Sequence, residues 1–150
     1  MGKKDFAYSK ISSSFLPGGF LLQKRSCIRF KVPGATLCYR KKPGLLRKNA
    51  YSEDRFPVLN LSRGGAKFLS DERPRVGMEI DVRIHIPEID QTLELSGVIR
   101  WAGRNHEASY QFQAGISFAP YGNSKNENPP EALDAIKRLE SAYSVEAEIA

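Results

Sequence analysis

The chain contains few of the residues on which common enzyme and metal sites depend. Among its 150 residues are two cysteines, Cys27 and Cys38, and two histidines, His85 and His106. Because the cysteines form neither a CxxC pair nor a cluster with histidine, the sequence argues against a zinc site and against a disulfide scaffold. Walker, GxSxG, HExxH and GxGxxG motifs are also missing. We therefore expect a protein that is not an enzyme and that works in the reducing cytoplasm.

Long hydrophobic runs are missing as well. The apolar stretch at residues 18–22 is too short to cross a bilayer and lies too late in the chain for the core of a signal peptide. The sequence thus predicts no membrane span. With 41% hydrophobic residues, the chain is long enough for one domain with a hydrophobic core and short for two.

Positive charge is concentrated in the first third of the chain. The net charge is +6, but residues 1–48 hold 12 lysines and arginines against a single acid, Asp5, whereas the remainder holds 11 basic and 16 acidic residues. A local basic segment favours an anionic ligand near the N-terminal third. It argues against a protein that is coated with nucleic acid on all sides.

Hydrophobic alternation predicts an all-β domain. The pattern is strongest at residues 80–86, where isoleucine and valine alternate with polar side chains. Pro57 predicts that the second strand is an edge strand or irregular. Six strands without intervening helices are typical of an antiparallel barrel or sandwich; they are predicted at residues 35–40, 56–61, 66–69, 80–86, 92–101 and 110–118.

The end of the chain changes to a helical period. Asn128 precedes two prolines and an acid, which is typical of a helix start with Asn128 as the N-cap. We expect the helix to cover an open end of the barrel with one apolar face; this face consists of Leu133, Ile136, Leu139, Ala142 and Tyr143.

Two short motifs carry the functional prediction. Arg25 and Arg29 lie four residues apart just ahead of the first strand, and each guanidinium offers a planar set of donors that suits a phosphate or the O6/N7 edge of guanine. The second motif, NLSRGG at residues 60–65, follows a strand. Its Asn and Ser side chains can bond nearby backbone, while Gly64 and Gly65 are able to take positive φ angles.

Together, in this order, the motifs resemble those of the PilZ domain family, whose members are receptors for the bacterial second messenger cyclic di-GMP. The resemblance covers residues 23–119 and extends into the C-terminal helix. It implies an all-β fold, a six-stranded antiparallel barrel with a C-terminal helix, over residues 23–143. Residues 1–22 are then a partly flexible N-terminal segment and residues 144–150 a tail. The positions that carry the resemblance are Arg25, Arg29, Asn60, Ser62 and Gly65.

The resemblance also implies roles for these residues. Arg25 and Arg29 would hold phosphate and guanine. Asn60 and Ser62 would contact guanine or ribose and hold the turn, while Gly65 would allow a close approach. An acid is commoner than Asn60 at the first position; because an amide has one acceptor and one donor, the affinity is expected to differ while the role is kept.

Two further residues are candidates for ligand contact. Lys24 adjoins the first arginine and would add charge for a phosphate, although a solvated lysine is an equal alternative. Trp101 ends a strand at the barrel rim, where its indole would stack on a purine or pack at the edge of the core.

The implied function is a cyclic di-GMP receptor without a cofactor. It would change the conformation of its arginine loop and signal to an unidentified downstream protein. One alternative is a PilZ-like adaptor that binds no nucleotide. Another is a small barrel that binds single-stranded nucleic acid, suggested by the basic first third and by aromatic residues; these are Tyr39, Tyr51, Phe56 and Trp101. The inward spacing of Tyr110, Phe112 and Phe118 argues against nucleic acid.

Overall fold

Six strands and one long helix form from these patterns. The structure, a computed structural model, describes residues 27–43, 50–106 and 109–149. The elements in chain order are β1 (Thr36–Lys41), β2 (Phe56–Ser62), β3 (Gly65–Ser70), β4 (Glu79–Ile86), a 3-10 turn (Pro87–Ile89), β5 (Gln91–Arg104), β6 (Phe112–Phe118) and α1 (Pro130–Ile149).

The strands close into a barrel. All neighbours pair antiparallel in the order β1-β2-β3-β6-β5-β4, with β4 returning to β1. The longest regular pairing joins β4 to β5, where Glu79 lies opposite Val98 and Ile86 opposite Gln91. The predicted six-stranded antiparallel barrel with a C-terminal helix is therefore confirmed, and the sandwich alternative is wrong.

The barrel interior is filled by the alternate residues of each strand. Ile80, Val82, Ile84 and Ile86 are fully buried, as the alternation predicted. Phe68 from β3 is also fully buried and contacts the ring of Tyr39 at 5.7 Å between centroids. Burial of one large apolar side chain stabilises a fold by about 1.5–3 kcal/mol, so this interior is the main stabilising element of the barrel.

The pairing of β1 with β2 is the shortest in the barrel. Only two residue pairs join these strands, and one of them places Pro57 opposite Thr36. A register shift between Val58 and Asn60 then interrupts the pairing of β2 with β3. The irregularity predicted from Pro57 is present, but β2 is not an edge strand because the closed barrel pairs both of its sides.

Helix α1 packs on the barrel through a face that differs in part from the predicted one. Among its side chains up to residue 144, the buried apolar ones are Ala132, Ala135, Ile136 and Leu139. By contrast, Leu133 is half-buried and Ala142 is exposed. The helix continues six residues beyond Tyr143 to Ile149, through a segment assigned to a tail from the sequence. No described helix combines the length and the apolar character that a membrane crossing requires.

Asn128 does not act as the predicted helix cap. Its side chain is 2% exposed. Its Oδ1 accepts the N–H of Ser96 at 2.7 Å, and its Nδ2 donates to the carbonyls of Ser96 and Ala119, both at 3.0 Å. The amide therefore joins β5 to the segment that leaves β6. An N-cap pattern in the sequence could not reveal this, because the partners lie 9 and 32 residues away.

We predict that Asn128→Ala lowers the free energy of unfolding by about 1–3 kcal/mol, because the Ser96 N–H loses its acceptor and two carbonyls lose a donor. Urea denaturation would measure the change. Asn123→Ala, at an exposed position in the same segment, is the control. Equal unfolding midpoints for the two variants would show that the Asn128 contacts contribute nothing.

Candidate ligand-binding site

The turn between β2 and β3 is held by one hydroxyl group. The Oγ of Ser62 accepts the N–H groups of Gly64 at 3.2 Å and Gly65 at 3.1 Å, and it donates to the Gly65 carbonyl at 3.4 Å. Ser62 is 8% exposed. A serine that bonds backbone two and three residues ahead fixes the turn locally. This hydroxyl is engaged within the protein, so Ser62 shapes the site by holding its backbone.

Gly65 is required for a close approach between strands. Neither Gly64 nor Gly65 lies in the left-handed region, so the turn does not use the positive φ angles that glycine allows. A Cβ atom on Gly65 would overlap the carbonyl oxygen of Ile116 on β6. Any larger residue at this position would push β3 away from β6 and change the wall of the site.

Arg29 reaches the turn through a short antiparallel bridge. The N–H of Phe30 donates to the Leu61 carbonyl at 3.0 Å, and the N–H of Leu61 donates back to the Phe30 carbonyl at 2.9 Å. Phe30 is 1% exposed, so its ring anchors the segment in the core. This pairing places the exposed Arg29 beside Asn60 and Ser62.

A pocket of about 260 Å³ lies where these segments meet. Five of the predicted residues line it: Arg29, Asn60, Ser62, Gly65 and Trp101. The remaining wall comes from other residues of β3, β5 and β6, which include Lys67, Arg100, Gly115 and Ser117. Three of the lining side chains are cationic and none of the described lining residues is acidic. The pocket is therefore electropositive and suits an anionic ligand.

Trp101 forms one wall of this pocket. It is 41% exposed, and its indole lies across Gly115, where a Cβ atom would overlap the ring. The Nζ of Lys67 lies 5.8 Å from the centre of the indole. A register shift between Ile99 and Trp101 allows two consecutive residues, Arg100 and Trp101, to line the same pocket.

Lys67 and Arg100 line the pocket but were not among the residues predicted from the sequence. Lys67 was detectable in principle, because Ala66 and Phe68 point into the core and the residue between them must point outward. The orientation of Arg100 was not detectable, because the bulge that turns this residue toward the pocket has no clear sequence signal. Lys24 and Arg25 lie outside the described residues, so their ligand contacts stay predictions.

Arg63, inside the NLSRGG motif, points toward the helix. Its Nε and Nη2 bond the two carboxylate oxygens of Glu140 at 2.9 and 3.1 Å, and this pairing raises the pKa of the Arg63 guanidinium. Glu140 is 9% exposed. The Tyr121 hydroxyl donates to the Arg63 carbonyl at 2.6 Å, and burial raises the pKa of that hydroxyl, so it stays a donor. The turn is thus bound to α1 and to the segment before it.

Most aromatic residues that suggested nucleic-acid binding are engaged elsewhere. Phe56 is buried, and the ring of Tyr51 lies under the guanidinium groups of Arg40 and Arg83, at 4.5 and 4.0 Å. In the part of the chain that the structure describes, no cluster of histidine, cysteine or acidic residues could hold a metal ion. The pocket around Trp101 is the arrangement best suited to a ligand.

Comparison with known proteins supports the family resemblance. A family model described as the PilZ domain matches residues 23–128, which is more than two thirds of the chain. No curated protein matches the chain significantly.

Two solved structures share the fold. The Bacillus subtilis inhibitor of motility MotI/DgrA is 16% identical with a TM-score of 0.56, covering 79% of this chain and 49% of that chain. Escherichia coli YcgR, solved in complex with c-di-GMP, is 17% identical with a TM-score of 0.53, covering 85% of this chain and 48% of that chain. The match thus spans about half the length of each of these proteins, and at these identities it shows a common fold. On the evidence of its matching sequence and barrel, the chain belongs to the PilZ domain family.

Proposed function

We propose that this protein is a cytoplasmic receptor for cyclic di-GMP that signals to a protein partner and catalyses no reaction. The observation that carries this proposal is that Arg29 and the β2–β3 turn, from separate segments, line one electropositive pocket. Arg29 comes from the segment before β1, and Asn60, Ser62 and Gly65 come from the β2–β3 turn. The structure of YcgR with c-di-GMP adds support from a protein of the same fold.

The pocket chemistry suits this ligand. A cyclic dinucleotide carries two phosphates and two guanines, and Arg29 offers a fork of donors for either group. The amide of Asn60 has one donor and one acceptor for a guanine edge. Ser62 and Gly65 act by holding the turn and by allowing β3 to lie close to β6. Arg25 and Lys24 would add charge from the preceding segment.

Signalling would begin in the segment around Arg25 and Arg29. Its described end is fixed to the barrel by the Phe30–Leu61 bridge, while Ile28 is 50% exposed. Bound phosphate would remove the repulsion between neighbouring guanidinium groups and favour one arrangement of this segment. A partner protein would then recognise the ordered arrangement, without any cofactor beyond the nucleotide.

We predict that Arg29→Ala weakens cyclic di-GMP binding by about tenfold to a hundredfold. Loss of a hydrogen bond to a charged group costs about 1.5–3 kcal/mol, which corresponds to this change in affinity. Isothermal titration calorimetry would measure it. Lys31→Ala removes an exposed cation two residues away that does not line the pocket, so it is the matched control. If both variants bind like the parent protein, the assignment of Arg29 is wrong.

We also predict that cyclic di-GMP changes the fluorescence of Trp101, the only tryptophan of the chain. A purine that stacks on the exposed indole would replace water at its face and alter its emission. The emission would be recorded during a titration followed in parallel by calorimetry. Binding by calorimetry with unchanged emission would exclude Trp101 from ligand contact and leave the receptor proposal intact.

A further inference from the structure

A groove continues from the ligand pocket along the barrel. Two neighbouring cavities of about 510 and 610 Å³ extend the pocket. The first shares Arg100 and Ser117 with the pocket, and the second shares Lys42, Glu79 and Asn126 with the first. We call the two neighbouring cavities together the basic groove.

Backbone hydrogen bonds hold the walls of the basic groove. The N–H of Lys42 donates to the Glu79 carbonyl at 2.9 Å, which fixes the end of β1 to the start of β4. The N–H of Gly77 donates to the Ile99 carbonyl at 2.8 Å, and the N–H of Ile99 donates to the Met78 carbonyl at 3.0 Å. The segment before β4 therefore lies firmly beside β5, and the groove is part of the barrel framework.

Cations outnumber acids among the described residues that line the basic groove. Lys41, Lys42, Arg75 and Arg100 line it, and within the described ranges the last three of these side chains form no ion pair. Glu79 is the one acid among the described lining residues. An excess of cations raises the local concentration of anionic groups and favours their binding.

The basic groove also has apolar walls and lacks a stacking surface. Val76 is 56% exposed, and Met78 and Val98 are half-buried. Its one aromatic residue among the described ones, Phe118, is 8% exposed. Nucleic-acid grooves rely on exposed aromatic rings for stacking. Cations beside aliphatic side chains instead suit a peptide that carries both acids and apolar residues.

We propose that the basic groove binds an acidic segment of the partner protein. This inference rests on the proposed function, which requires such a partner, and it adds the chemistry and the place of the contact. Because Arg100 and Ser117 line both the pocket and the groove, the partner would bind directly beside the nucleotide.

The test uses a fluorescein-labelled peptide of glutamate, leucine and glycine, with fluorescence anisotropy as the readout. A peptide with glutamine in place of each glutamate is the control ligand. We expect the parent protein to bind the acidic peptide saturably and not to bind the control peptide. In the double variant Lys42→Glu/Arg75→Glu, the affinity for the acidic peptide should fall about fivefold to tenfold. The variant Lys137→Glu/Arg138→Glu has the same net charge change on the exposed side of α1 and should bind like the parent protein.

The other outcomes separate this inference from the proposed function. Equal weakening in both double variants, or equal binding of both peptides, would overturn the groove as a specific site. Tighter binding of oligothymidylate than of the acidic peptide would overturn the choice of a protein partner. Cyclic di-GMP titrations of the same samples check folding. Nucleotide binding without peptide binding would refute the groove alone, whereas peptide binding without nucleotide binding would refute the receptor proposal alone.

Discussion

The hydrogen bonds of the Ser62 hydroxyl determine the turn on which the site depends. By accepting the N–H groups of Gly64 and Gly65, this oxygen sets the path of the chain from β2 to β3. Leu61, just before the turn, is then in place to pair with Phe30. Gly65, just after it, fits against the Ile116 carbonyl. The same few residues therefore position the arginine segment and the wall of the pocket.

The turn also connects the pocket to the rest of the molecule. Arg63 bonds both oxygens of the buried Glu140 on α1, and its carbonyl accepts the hydroxyl of Tyr121. A surface ion pair contributes little, but this one is bidentate and its acid is buried, so it limits the freedom of the turn. A ligand that contacts the turn therefore contacts a rigid element that is bonded to α1, rather than an isolated loop.

Local patterns predicted the barrel well, because alternation at residues such as Ile80 to Ile86 reflects a physical constraint on each strand. The motif positions Arg29, Asn60, Ser62 and Gly65 were also recognisable. Contacts between distant segments were not predictable: Asn128 looked like a helix cap but joins β5 to the exit of β6. The positions of Arg63 and Arg100 likewise depend on packing and on a bulge that single-sequence patterns do not reveal.

We propose that Arg29, Asn60, Ser62 and Gly65 belong to a cyclic di-GMP site. Calorimetric titration of the protein with cyclic di-GMP, beside cyclic di-AMP and GTP, is the decisive experiment for this proposal. Saturable heat with cyclic di-GMP alone is the expected result, because the amide of Asn60 and the arginine donors match guanine edges and bridging phosphates. No heat with any of the three nucleotides, or equal binding of cyclic di-AMP, would contradict the claim.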